Sequence, residues 1–164
     1  MATAARIAKT GPLAAVAGAI AEAVGNDLLQ YSDEVIVENG GDLFIKTLIP
    51  RVVALYAGQS NLTGRIGLLI EPDMTPLGIC PSTGSFGHSL SFGRADACTV
   101  LARSAAVADA LATSFCNRIR SSDDLAVTLD PASLPPEMLG VLATIDGHVG
   151  MQGSIQLVPI EQGA

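Results

Sequence analysis

Asp109 stands in "SAAVADALATSF" (104–115), where its helical neighbours at three and four positions are Ala105, Ala106, Ala112 and Thr113. No lysine or arginine of its own helix reaches it. An acid among side chains too small to shield it needs a cation, a metal or donors from another segment. Thr113 shares its face, and a carboxylate beside a hydroxyl is hard-oxygen ligation of the kind that suits Mg²⁺, with waters and phosphate oxygens completing the shell. The plainer alternative is an acid on a solvated helix face. His88 lies in "STGSFGHSLSFG" (82–93). Glycines there let backbone N–H groups approach a ligand, and a histidine serves as a general base or a phosphate partner, or is simply exposed on a loop. Cys80, eight residues earlier, raises the idea of a Cys–His nucleophile, but most single cysteines are small packed hydrophobes. "KTGP" (9–12) sets Lys9 and Gly11 before a helix, an arrangement that binds phosphate through free amides, the helix dipole and a cation. No Gly-Lys-Ser/Thr follows to make it a Walker loop. "ENGGD" (38–42) reads as a tight hairpin turn whose Gly40 and Gly41 would let a flat ring lie against bare backbone.

Composition narrows the setting of these residues. The 164 residues suit one domain able to bury a core. Hydrophobic residues make up 49% and charged ones 15%, against a usual charged share of about 25%. That balance suggests tightly packed backbone and a buried oligomer interface, so a homodimer or higher assembly is expected. No run of about 20 apolar residues spans a membrane. A net charge of −7 argues against nucleic acid, whose phosphates require a basic surface. Three dispersed cysteines form neither a zinc framework nor a disulfide scaffold, which fits a reducing compartment. The N-terminus reads as structure rather than a signal peptide, ending in the helix stop Gly25-Asn26, so a cytoplasmic protein is expected.

The elements that must position the site follow from periodicity. A helix is expected over 12–24, with Pro12 in its first turn and Gly25 as a left-handed cap. "EVIVEN" (34–39) and "DLFIKT" (42–47) flank Gly-Gly as a hairpin, and 51–58 with 64–72 form a second. The stretch 78–96 reads as too irregular for a core element. A strand over 97–103 feeds a helix over 104–119, whose core stripe is Ala108, Leu111, Ala112, Phe115 and Ile119. "SSDD" and a Pro-marked turn follow, and 153–160 ends the chain as a strand. The fold class is α+β, with a largely antiparallel sheet and both Ala-rich helices packed on one side of it.

Taken in order, "IAKTGPLAAVAGAIAEAVG", "VIVENGGDLFI", a hairpin, a His-bearing loop and "TVLARSAAVADALATSF" resemble the ApbE-like proteins, the FAD:protein FMN transferases, and more closely their small cytoplasmic branch. The resemblance covers most of the chain. It implies an ApbE-like, T-fold-related domain over 1–164, the C-terminal two-thirds of a usual member, with an N-terminal segment missing. It implies Mg²⁺ on Asp109 and Thr113 through "ADALAT", and FAD or FMN against Asn39, Gly40, Gly41 and Asp42. Lys9 and Gly11 would lie near the pyrophosphate, and His88 would be the catalytic-loop histidine. In the transferases the metal polarises the FAD pyrophosphate and a base helps a target threonine attack it. Two departures bear on activity: the transferases' "H-I-x-D-P-x-T-G" loop is replaced by "SLSFGRAD" after His88, and their first-helix Tyr and Asp are absent from "KTGPLAAV". The implied function is therefore flavin dinucleotide binding without assured transfer. An active Mg²⁺-dependent FAD:protein FMN transferase, with an acceptor protein, or an FAD pyrophosphatase is one alternative. An accessory protein in sulfur incorporation into homocysteine is the other.

Overall fold

The computed structural model describes residues 1–55, 63–84 and 92–160. Helices α1 (Ala2–Ala8), α2 (Val16–Leu28) and α3 (Ala105–Arg118) form one layer. A six-stranded sheet forms the second, in the order β1 (Val35–Asn39), β2 (Asp42–Lys46), β5 (Leu77–Ser82), β6 (Ala97–Ala102), β7 (Met138–Ile145), β8 (His148–Gly153). A three-stranded sheet of β3 (Arg51–Ala54), β4 (Ile66–Ile70) and β9 (Leu157–Pro159) forms the third. A short helix α4 (Asp123–Thr128) precedes β7. Strand pairing is antiparallel throughout the described residues, as an α+β chain rich in hairpins should give.

The inner strands β2, β5, β6 and β7 are buried on both faces, and the pleat divides their side chains between two cores. Phe44, Cys80, Cys98, Val100, Val141 and Ala143 face the helices. Ile45, Leu77, Ile79, Leu101 and Leu142 face the smaller sheet, meeting Leu68 and Ile70. Helix α3 is nearly enclosed, with nine of its residues buried, which explains its alanines: a helix covered on most sides leaves no room for larger side chains. The expected stripe of Ala108, Leu111, Ala112, Phe115 and Ile119 is fully buried. Helices α2 and α3 pack against each other on the same face of the sheet. No single helix among the described residues is long and apolar enough to cross a membrane.

Several local expectations change. Gly25 does not end α2, which runs on to Leu28; the bare Cα instead makes room for the Phe44 ring. The helix also starts later, after a 3₁₀ turn over Pro12–Ala15. Lys9 does not open a helix; it closes α1 in a left-handed conformation, φ 57°. The stretch expected to be irregular holds β5, a strand between β2 and β6. Pro81 within this strand costs no ladder bond to β2, whose pairing with β5 stops at Leu43 opposite Ile79. The hairpin β7–β8 was not foreseen. It turns on Asp146-Gly147, both at positive φ, the Asp-Gly signal of a tight hairpin. Residues 56–62 within the second expected hairpin, and His88 with its neighbours in 85–91, lie outside the described residues.

Candidate functional site: a cleft with a paired carboxylate

Asp109 is explained first by helix ends. The opening turn of α2 has no side-chain cap of its own from Ala15, and a helix start leaves backbone donors without intrahelical partners. Asp109 reaches over from α3 to supply the acceptor: its Oδ2 takes the Gly18 N–H at 3.0 Å. The arrangement is reciprocal. Glu22 of α2 caps the start of α3, its Oε2 accepting from Ser104 Oγ at 2.7 Å and Ala106 N at 3.1 Å. Since Glu22 meets residues 104–106 and Gly18 meets 109, the two helices run antiparallel. Gly18 is what lets them approach so closely, because a Cβ there would collide with the Ala105 carbonyl and Asp109 Cβ.

The turn between β1 and β2 reaches the same place. Gly40 and Gly41 adopt φ of 65° and 104°, the positive pair that a two-residue hairpin turn demands. Asn39 Nδ2 donates to the Ala17 carbonyl at 3.1 Å, fastening the turn to α2. This brings Asp42, only 7% exposed, against Asp109, and the two carboxyl groups share a hydrogen bond. Burial, and then the charge of Asp109, lifts the Asp42 carboxyl to about 7. Burial lifts Asp109 as well, opposed by the N–H groups of Gly18 and Ala17 that favour its charged form. Near neutrality the pair therefore holds a proton or calls for a cation. Burial, and next the Asp42 charge, push the neighbouring Cys80 thiol up, which makes it a packed, inert thiol rather than a nucleophile.

A cleft of about 820 Å³ opens beside this pair. Ala17, Asp109 and Thr113 wall its helix side, and residues 38–42 its turn side. Ser82, Thr83, Asp96 and Thr99 line the sheet end, and Val53, Ala54 and Leu55 close it opposite. The expected residues Asn39, Gly40, Gly41, Asp42, Asp109 and Thr113 thus meet in one cavity. Lys9 and Gly11 do not join them; both are exposed and outside the lining. The lining holds four carboxylates (Glu38, Asp42, Asp96, Asp109) and, among the described residues, no lysine, arginine or histidine.

Sequence reasoning missed Ala17, Gly18, Glu22 and the contact of Asp42 with Asp109. Helical spacing shows neighbours within one helix, whereas these groups come from different elements. No three histidine, cysteine, aspartate or glutamate side chains cluster as a metal site among the described residues. The oxygen set of Asp42, Asp109 and Thr113 fits a hard cation that takes the rest of its shell from water and phosphate, and two abutting carboxylates are the charge arrangement that such a cation relieves.

A profile of the family described as "AbpE bacteria" matches residues 1–137. A UPF0280 protein of Methanocaldococcus jannaschii is 39% identical over 160 residues, covering 94% of this chain and 65% of its own length. One from Methanococcus aeolicus is 40% identical over 168 residues, covering 99% and 68%. The chain thus spans about two-thirds of the length of these relatives. Among solved structures, the flavin transferase ApbE from Vibrio cholerae matches with a TM-score of 0.57 and 21% identity, over 84% of this chain and 48% of that one. The apo flavinyl transferase ApbE of Pseudomonas stutzeri matches at 0.55 and 16% identity, over 85% and 46%; at such identities the likeness is one of fold. By the profile and the sequence relatives together, this chain belongs to the ApbE-like family, in the company of the UPF0280 proteins.

Proposed function

We propose that the cleft binds a flavin dinucleotide through its pyrophosphate as a Mg²⁺ complex, and that binding rather than transfer is this domain's activity. The observation that carries the reading is the Asp42–Asp109 carboxyl pair, set beside Thr113 and the Gly40-Gly41 turn in a cleft without a described basic residue. A diphosphate entering such a lining meets repulsion unless a cation accompanies it. Asp109 and Asp42, with the Thr113 hydroxyl, would hold that cation, which when bound neutralises phosphate charge. The chain's own contribution is positional. The N–H group of Gly18 fixes Asp109, Asn39 fixes the turn, and bare glycine backbone leaves space for a planar ring. Loading the metal requires the shared proton to leave, so binding strengthens as pH rises.

The test titrates FAD by flavin fluorescence with Mg²⁺ or with chelator. Binding is expected only with Mg²⁺, weakened at least about tenfold in Asp42→Asn and in Asp109→Asn, which keep side-chain volume. Equal binding with chelator, or none in either condition, overturns the reading. Product analysis decides between carrier and enzyme. Neither AMP nor FMN is expected from FAD, because "SLSFGRAD" stands where the transferases carry their catalytic loop. Mg²⁺-dependent release that disappears in His88→Ala would make the protein a transferase or pyrophosphatase instead.

A further inference from the structure

At one margin of the molecule an open strand edge lies beneath an overhanging apolar helix flank. Among the described residues, strand β1 ends the six-stranded sheet and has a partner only in β2. Asn39 and Asp42 close a two-residue turn and so form a hydrogen-bonded pair, and alternation along the ladder makes Val37 and Val35 bond inward. The N–H and C=O groups of Ile36 and Glu38 therefore point outward. Above this edge runs α2. Its Gly18, Ala21 and Gly25 face the core, and Glu22 turns to α3, which it caps. At 100° per residue, Ile20, Val24 and Leu28 then line the flank away from α3, over and beyond β1. They are 50%, 43% and 45% exposed, and Ile36 on the other face of β1 is 55% exposed. Apolar side chains on both faces of an open edge suit a further strand, which they would sandwich.

Charge identifies the occupant. Between Lys9 and Lys46 there is no lysine, arginine or histidine, and Asp27, Asp33 and Glu38 lie exposed there, whereas Glu22 caps α3, Glu34 meets Arg51 and Asp42 is buried. A second copy pairing edge to edge would bring Asp33, Glu34 and Glu38 of the two copies together, and of these, among the described residues, only Glu34 has a base, Arg51, beside it, which disfavours that pairing. We propose that the β1 edge, with the Ile20–Val24–Leu28 flank of α2, docks an extended basic segment of a partner protein as an added β-strand. Because Glu38 also lines the cleft, that strand would border the cleft mouth. The proposal is independent of what the cleft binds.

The probe is a short peptide alternating lysine and valine, with a control alternating glutamate and valine, read by amide hydrogen exchange without flavin or metal. The free protein should exchange Ile36 and Glu38 amides quickly and those of Val35 and Val37 slowly. The basic peptide should slow Ile36 and Glu38 by at least about tenfold, and the acidic one should leave them unchanged. Val24→Asp, on the exposed flank, should abolish this protection with circular dichroism unchanged. Ile36→Pro, which removes an outward N–H and no inner ladder bond, should abolish it at Glu38. Protection by both peptides alike, by neither, or protection that survives both variants would overturn the proposal. So would concentration-dependent protection in the peptide-free protein matched by a dimer in sedimentation, which would make the edge a self-association surface.

Discussion

Two acidic centres in this fold face opposite electrostatic circumstances. Glu34 accepts from Leu48 N and Thr47 Oγ1, each at 2.8 Å, and pairs with Arg51 at 3.5 Å. The Leu48 amide first, then the Thr47 hydroxyl, hold its carboxyl below the ordinary glutamate range. Asp42 has a second carboxyl as its close neighbour and is lifted to about 7, chiefly by burial. The first centre is a clamp that joins the start of β1 to the β2–β3 corner, with its charge answered by donors already in the fold. The second leaves charge unanswered at a cleft. An acid that the fold fully satisfies reads as architecture, and one that it leaves short of donors reads as a place for a ligand.

The contrast breaks most completely if the helix pair is pushed apart. Gly18→Ala sets a methyl against the Ala105 carbonyl and Asp109 Cβ, so it should remove about 3 kcal/mol of unfolding free energy in urea. It should also lose the Asp42–Asp109 geometry while leaving the Glu34 clamp intact. A variant as stable as the parent would show that α2 and α3 have slack.

The next effect is a pH slope. With the folded value of Asp42 above its unfolded one, the contribution of its protonated carboxyl is fully present below the ordinary aspartate pKa and fades as pH rises through about 7. Without divalent metal the protein should therefore lose on the order of 3 kcal/mol of stability between pH 4 and 7 from this group. Asp42→Asn should flatten the slope, and Mg²⁺ should offset the loss at the upper end. Urea midpoints across that range check it, and a slope unchanged in Asp42→Asn would remove the pair from the explanation.

The smallest effect has the reverse sign. Glu34, with its carboxyl held low, stabilises above its unfolded pKa, and that contribution fades as pH falls through the folded value. Glu34→Gln should lower the neutral-pH midpoint slightly and lose its disadvantage in acid. Because the side chain is partly exposed, salt should weaken the difference further. A variant whose deficit grows on acidification would contradict the assignment.

Much of the scaffold was legible because it rests on local chemistry. Gly-Gly between β-branched runs specified the first hairpin, and the alanine run specified α3 with its buried stripe. The failures have equally local causes. Gly25 is a helix stop by propensity, yet the Phe44 ring required the missing side chain more than the backbone required an end. The glycines and serines of 78–96 suggested an irregular segment, but its first residues are apolar and pair between β2 and β6 as β5. Lys9 looked suited to phosphate until its position at the end of α1 left it exposed outside the cleft lining. For the site, residue types pointed to Asn39–Asp42, Asp109 and Thr113, but nothing in the chain order revealed that Asp42 and Asp109 touch.

The sequence by itself determined the α+β class, the small-residue helices and the family, since each depends on periodicity or on motifs read along the chain. It also determined that an acid at 109 would lack a cation on its own helix. Only the tertiary structure decided how that acid is satisfied. Residues 17 and 18 come to it from another helix, Asp42 from a turn 67 positions earlier, and burial turns two ordinary carboxyls into a coupled pair. Proximity across the fold and exclusion of water set that chemistry, and both exist only once the layers have closed on one another.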